Sequence, residues 1–271
     1  MSDSLVLVSR DDDVVTLSLN NPKRRNSMNE SMGQVFREEV AKLCGDDSLR
    51  AVVLTGAAEG RAFCAGGDLG MIGGHADRGT ANPGDARANA RDTMKKFYEL
   101  FLSVRDLPVP TVAAINGHAI GAGMCITLGC DLRVADATAK LAFNFSQLGI
   151  HPGMGATWTL PRLLGPALAA DLLYTGRTLS GEEAAAIGLV NRAVPRDDVL
   201  AEATALARQI ATSAPLPVRG LKQALRASEG NHLDAQLTWE AEQQALCYET
   251  EDMHEGLSAA REKRAPSFKG R

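Results

Sequence analysis

An α/β fold ending in a helical region is predicted by three features of the chain. Over the first half, short runs that alternate apolar and polar residues give way repeatedly to apolar residues at helical spacing. Two Gly-rich turns each follow one of the strand-like runs, and from about residue 155 helical periodicity takes over. Strands that alternate with helices build a largely parallel sheet, and 271 residues are enough to bury a sizeable core.

Residues 4–9 and 14–19 alternate around Asp11-Asp12-Asp13, which predicts an antiparallel pair joined by an acidic turn. Met28, Met32, Val35, Phe36, Val40 and Leu43 recur at helical spacing, with Gly45 as the stop. Arg50-Ala-Val-Val-Leu-Thr55 is the next strand, followed by the Gly-rich loop Ala62-Phe-Cys-Ala-Gly-Gly-Asp68. The segment from Gly70 to about Asn89 is rich in Gly, Ala, Asn and Asp and is expected to be a mobile loop. A helix over 88–105 leads to the strand Thr111-Val-Ala-Ala-Ile-Asn116 and to a second Gly-rich turn, Gly117-His-Ala-Ile-Gly-Ala-Gly123, which opens a helix. Short strands near 131–135 and 140–144 complete the alternating half. A capping box, Ser180-Gly-Glu-Glu183, starts a helix that stops near Gly188. Pro195, Pro215 and Pro217 punctuate further helices, the last two over 231–249 and 251–263. The expected division is a core over 1–197 and a helical region over 198–271, whose apolar faces pack on the core or on another subunit.

Hydrophobic residues at 45% and charged residues at 23% are globular proportions. A net charge of −4 leaves no basic footprint for nucleic acid, which is excluded as an expected partner. The start, Met1-Ser-Asp-Ser-Leu-Val-Leu-Val8, lacks the pattern of a signal peptide, and no run approaches the roughly 20 apolar residues of a membrane span. A soluble, cytoplasmic protein without a membrane partner is therefore expected. None of Cys44, Cys64, Cys125, Cys130 and Cys247 forms a Cys-x-x-Cys pair, so reduced thiols are expected and no metal.

The chemistry is expected at the two Gly-rich turns, Gly66-Gly67 and Gly121-Ala122-Gly123. A turn that runs into a helix presents unpaired N–H groups suited to an oxyanion, and small side chains let a carbonyl approach the main chain. The plainer reading is that these glycines only make tight turns. A dinucleotide loop would need glycine where Ile126 stands, and neither a Gly-Lys-Ser/Thr phosphate loop nor a Gly-x-Ser-x-Gly elbow occurs.

Five segments in order carry a family resemblance: Asn21-Pro-Lys-Arg-Arg-Asn26, Ala62-Phe-Cys-Ala-Gly-Gly-Asp-Leu69, Ala113-Ala-Ile-Asn-Gly-His-Ala-Ile-Gly-Ala-Gly123, Cys130-Asp-Leu-Arg133 and Gly149-Ile-His-Pro-Gly153. Together they resemble the motif set of the crotonase superfamily, the enoyl-CoA hydratase/isomerase kind, and the tail Glu262-Lys-Arg-Ala-Pro-Ser-Phe-Lys269 resembles that family's C-terminus. The resemblance implies a spiral of strand–strand–helix turns with a C-terminal helical trimerisation region, and a homotrimer or homohexamer. It implies an acyl-CoA thioester as ligand, with coenzyme A as part of the substrate and no separate cofactor. Gly67 and Ala122 take the positions of the oxyanion-hole donors, and Ala65 takes that of the carbonyl that meets the adenine amino group. Lys23, Arg24 and Arg25 fall in the segment near the CoA phosphates, while Phe268 and Lys269 approach the nucleotide from a neighbouring subunit. Asp68, beside the first donor, belongs to the same CoA-binding loop.

The chain departs from the family at the two glutamates that hydratases use, because these positions fall on Cys125 and Phe145. An aspartate found slightly farther along in some relatives falls on Gly153. His151, His118, Tyr98, Glu99, His75 and Asp68 are the remaining ionisable candidates, with His151 the first choice for proton transfer and a structural role as its alternative. Three readings follow: an acyl-CoA enzyme with altered acid/base groups and weak hydratase activity, a non-catalytic acyl-CoA carrier or sensor, and a structural partner that binds no ligand.

Overall fold

The computed structural model describes residues 4–81 and 83–271. Strand β1 (Val6–Asp11) pairs antiparallel with β2 (Val14–Leu19), Val6 opposite Leu19. Asp12 turns the chain at φ 55°, a left-handed conformation that a short acidic side chain tolerates. Helix α1 (Glu30–Cys44) begins where the Asn29 side chain accepts the Met32 N–H, and it buries Met32, Phe36, Val40 and Leu43. Strand β3 (Ala51–Gly56) lies parallel to β2 and is buried throughout, whereas β4 (Ala62–Cys64) joins a second sheet.

The segment expected as a mobile loop is helical. Helices α2 (Leu69–Ala81) and α3 (Pro83–Leu102) fill it, and Asn82 between them lies outside the described residues. Gly70, Gly73 and Gly74 are poor helix formers. A cap and an anchor outweigh them. Asp68 Oδ1 accepts the Gly70 and Met71 N–H groups at 2.9 and 3.1 Å, and Phe101 near the end of α3 packs on Phe36 of α1 with ring centroids 5.8 Å apart.

Strand β5 (Thr111–Ile115) follows, and β6 (His118–Ile120) occupies part of what the sequence offered as a single Gly-rich turn. Helix α4 (Ala122–Thr127), strands β7 (Leu132–Asp136) and β8 (Leu141–Ala142), and helices α5 (Ala156–Leu164) and α6 (Pro166–Thr175) come next. Strand β9 (Thr178–Leu179) precedes α7 (Gly181–Ala186), whose predicted capping box is present: the Ser180 hydroxyl accepts the Glu183 N–H and the Glu183 carboxylate accepts the Ser180 N–H. The chain ends with β10 (Arg192–Val194), α8 (Val199–Ala211), α9 (Pro215–Ala227), α10 (Leu233–Tyr248) and α11 (Glu251–Glu262).

The larger sheet has the order β1-β2-β3-β5-β7-β10, parallel except at β1, and the smaller has the order β4-β6-β8-β9. From β3 to β8 the chain makes three circuits, each putting a strand in the large sheet, then one in the small sheet, then helix; β1 and β2 both join the large sheet, and β9 and β10 are separated by α7. This is the α/β architecture with strand–strand–helix turns and a helical end that the sequence predicts. One core lies between the sheets and α1, α3 and α4; a second lies on the other face of the large sheet, where Val199, Ala203 and Ala207 of α8 meet Val14, Val53, Val112 and Val134. Helix α9 is tied down by Lys222, which is buried, donates to the Val109 carbonyl and pairs with Asp131 at 2.8 Å. Helix α10 has no buried residue along its 16 positions. Among the described residues no helix is long and apolar enough to cross a membrane.

Candidate functional site

A cavity of about 550 Å³ opens between the β4–α2 turn, the β6–α4 turn, α3 and the segment 144–151. The two Gly-rich turns meet there because their glycines allow it. Gly66 has φ +98°, and a methyl on it would stand 2.8 Å from the Ile120 carbonyl and 3.8 Å from the Ala122 nitrogen. A methyl on Gly123 would come within 2.3 Å of the Cys64 carbonyl oxygen, so α4 can start against the end of β4 only with glycine in that place.

The same contacts free two donors. Met28 donates to the Gly66 carbonyl at 2.8 Å and accepts the Asp68 N–H at 2.9 Å, so the polar groups on either side of Gly67 face Met28. In extended backbone those of Gly67 itself then face the other way, toward the cavity that it lines. Ala122 is the first residue of α4, and its N–H has no intrahelical acceptor, while the Gly121 N–H is taken by Ala142 at 2.8 Å. Among the described residues neither the Gly67 nor the Ala122 N–H meets an acceptor, and both residues line the cavity.

Lys23, Arg24 and Arg25 stand at the mouth on a turn of 3-10 helix, and Ala65 and Asp68 also line the cavity. Asp68 accepts from Arg24 at 2.6 Å, and that guanidinium holds its carboxyl below the ordinary value. What fixes this basic loop is a residue to which the sequence reading gave no role. Asn26 is fully buried and donates to the Ala57 and Ala62 carbonyls at 3.0 and 2.8 Å, while the Arg25 carbonyl accepts the Ala65 N–H at 3.0 Å. Its signal in the sequence is only that asparagine, like the aspartate at the β1–β2 turn, tolerates left-handed backbone, here at φ 54°.

The two positions expected to carry glutamates in a hydratase differ in setting. Cys125 is 0% exposed within the core and burial pushes its thiol far above the ordinary range, whereas Phe145 lines the cavity. The Cys64 thiol, behind the first turn, is likewise pushed up by burial, to about 12. His151 lines the mouth and its Nδ1–H donates to the Pro152 carbonyl at 2.7 Å, which leaves Nε2 as the ring acceptor. Tyr98 of α3 also lines the cavity.

Three candidates are not brought there. His118 is exposed and its Nδ1 accepts the Lys140 N–H, Glu99 is exposed beside Lys95, and His75 pairs with Arg78. Gly153 could hold no side chain, because a methyl there would lie 2.5 Å from the Tyr98 hydroxyl oxygen. Phe268 and Lys269 lie apart from the cavity of their own chain, the latter with its N–H on Asp252 at 2.7 Å. Met71 and Ile72, which the loop expectation for residues 70–89 had hidden, complete an apolar wall with Met94 and Phe97. No cluster of metal-ligating side chains occurs among the described residues.

Comparison with known proteins points the same way. A family model described as enoyl-CoA hydratase/isomerase matches residues 9–271. The chain is 38% identical over 258 residues to the 1,2-epoxyphenylacetyl-CoA isomerase of Escherichia coli K12, covering 95% of each chain. It is 37% identical over 268 residues to the 2,3-dehydroadipyl-CoA hydratase of the same organism, covering 99% of this chain and 100% of that one. The crystal structure of an enoyl-CoA hydratase from Bacillus anthracis superposes with a TM-score of 0.88 at 34% identity, over 98% of this chain and 100% of that one.

Proposed function

Because this chain belongs to the enoyl-CoA hydratase/isomerase family, within the crotonase superfamily, we propose that it binds an acyl-CoA thioester and stabilises the enolate of its acyl group with the Gly67 and Ala122 N–H groups. The observation that carries this reading is that both donors line one cavity and lack an acceptor within the described chain. Deprotonation at the α-carbon, or addition at the β-carbon, moves negative charge onto the thioester oxygen. Two fixed donors meet that charge, and loss of one such donor typically costs about 3–4 kcal/mol of transition-state stabilisation.

In this reading Lys23, Arg24 and Arg25 answer the CoA phosphates, Asp68 holds Arg24 in place, and the Ala65 carbonyl takes the adenine amino group. Phe268 and Lys269 reach the nucleotide of a neighbouring subunit in a homotrimer or homohexamer. Coenzyme A enters as part of the substrate, no further cofactor is called for, and the reaction runs in the cytoplasm.

Proton transfer separates this site from an ordinary hydratase. The Cys125 thiol is enclosed and kept protonated, and Phe145 carries no exchangeable proton. His151, with Nε2 open, is the group we assign to proton transfer. Acid and base groups contribute on the order of 10²- to 10⁴-fold each, so hydration of crotonyl-CoA should run several decades below that of a known hydratase assayed alongside by loss of enoyl absorbance. Turnover equal to the control would sink the proposal. The enclosed Cys125 also favours a second reading, a non-catalytic acyl-CoA carrier or sensor; binding of acyl-CoA without turnover of enoyl, hydroxyacyl or isomerisable thioesters would select it.

A further inference from the structure

A second, much smaller cavity lies where the end of α8 and the start of α9 meet the residues that lead into β3 and β5. It measures about 10 Å³, and Leu49, Arg50, Val109, Ile210, Pro215 and Arg219 stand around it. It shares no residue with the larger cavity. Two of these side chains are guanidinium groups that each keep one buried nitrogen, Nη1 of Arg50 and Nε of Arg219, without a hydrogen-bond partner among the described residues. Other nitrogens of the same groups are engaged. Arg219 Nη2 donates to the Asp47 and Leu49 carbonyls at 3.1 and 3.3 Å, and Arg50 Nη2 donates to the Phe268 carbonyl at 3.5 Å.

Charge is as poorly matched here as hydrogen bonding. Arg50 makes no ion pair among the described residues, and Arg219 stands 3.7 Å from an Asp47 carboxylate that is fully exposed, so water screens that pair. Helix α9 starts at Pro215 with neither a side-chain cap nor an acidic residue in its first turn, which adds the positive end of its dipole. A buried donor on a charged group is costly to leave without an acceptor. Volume limits what can supply one. About 10 Å³ is room for a single water-sized particle, so any occupant meets both arginines and an anion of several atoms is excluded.

We propose that this cavity is a halide site, in which one chloride ion accepts from Arg50 Nη1 and Arg219 Nε. The ion joins the start of β3 to α9 and, through the Arg50 bond to Phe268, to the C-terminal tail. A water would meet the same two donors but would leave both charges unanswered, and its own hydrogens would face the apolar side chains of Leu49, Val109, Ile210 and Pro215.

Two measurements on the intact protein test this. Crystals soaked in sodium bromide, with data collected at the bromine absorption edge, should show an anomalous peak in contact with Arg50 Nη1 and Arg219 Nε. In solution, with gluconate exchanged for chloride at constant ionic strength, Tm should rise by roughly 3–5 °C per tenfold increase in chloride once the site fills. Arg50→Gln and Arg219→Gln should each lose that dependence. A water in the cavity, or no anomalous peak there, would overturn the assignment. A peak without a chloride-dependent Tm would overturn it too, as binding at crystal concentration only. So would a chloride dependence that persists undiminished in both variants, and if neither variant folds the two measurements on the intact protein decide.

Discussion

Gly123 shows how little room the site leaves at the scale of a residue. The obstacle to a side chain there is the Cys64 carbonyl oxygen, a backbone atom that cannot swing away as the end of a lysine could. Gly123→Ala should therefore part α4 from β4, and with them the two free N–H groups. Overpacking costs about 1–3 kcal/mol, which for a chain of this size lowers Tm by roughly 2–4 °C per kcal/mol. Gly73→Ala in α2 is the control, since a methyl there meets nothing within 4 Å and removes a glycine from a helix. Thermal unfolding of both variants checks the contrast: a Gly123→Ala protein as stable as Gly73→Ala would show that the junction between the turns is soft.

At the scale of elements, α9 is held to the strands by a charge buried at its middle. Burial alone would raise the Asp131 carboxyl, but Lys222 and the Thr111 N–H and hydroxyl outweigh it and bring the value below the ordinary one. A carboxyl lowered in this way stabilises the fold above its unfolded value near 3.9, and the contribution is lost as pH falls through the lower folded value. Protonation then strands the Lys222 ammonium, whose own value burial pushes down. Unfolding temperature should thus drop steeply below about pH 4. Lys222→Met should cost roughly 3 kcal/mol, the low end for a broken buried pair because 30% of the Asp131 side chain stays exposed. It should also flatten the acid limb, because burial is then opposed only by Thr111 and Arg226 and the folded value of Asp131 moves up toward its unfolded one. A variant with the parental pH profile would remove α9's clamp from the account.

The elements also divide by how legible they are. The β1–β2 pair, α1 and α7 could be read because alternation, 3.6-residue spacing and a capping box are local signals. Strands β9 and β10 span two and three residues, too few to leave a period. The start of α2 was hidden because glycine content is visible in a sequence, whereas the two bonds that Asp68 accepts are not. Within the site, Gly67 and Ala122 were legible as turns. That the Gly67 N–H stays unpaired depends on Met28, and that Tyr98 has room at the cavity depends on Gly153; both are contacts distant in sequence.

For the whole molecule, the exposed face of α10 decides the expected assembly. Leu233 is 75% exposed and Leu237 and Leu246 are about half exposed, while no residue of the helix is buried. At about 25 cal/mol per Å² of apolar surface, covering such a helix is worth several kcal/mol, more than a lone chain should forgo. A trimer or hexamer is expected by sedimentation at micromolar concentration, and a monomer there would contradict the proposed assembly.

Both sheets hold their strands in the order in which the chain supplies them, β1-β2-β3-β5-β7-β10 in one and β4-β6-β8-β9 in the other. Each new strand that leaves the ribosome therefore meets a finished edge, and none has to be threaded between two strands already paired. From β3 to β8 the nascent chain can lengthen the two sheets alternately, each of these circuits adding a strand to both, with one growing edge per sheet left open at any moment. Synthesis and folding can run in the same direction, and no early pairing has to be undone to admit a late one.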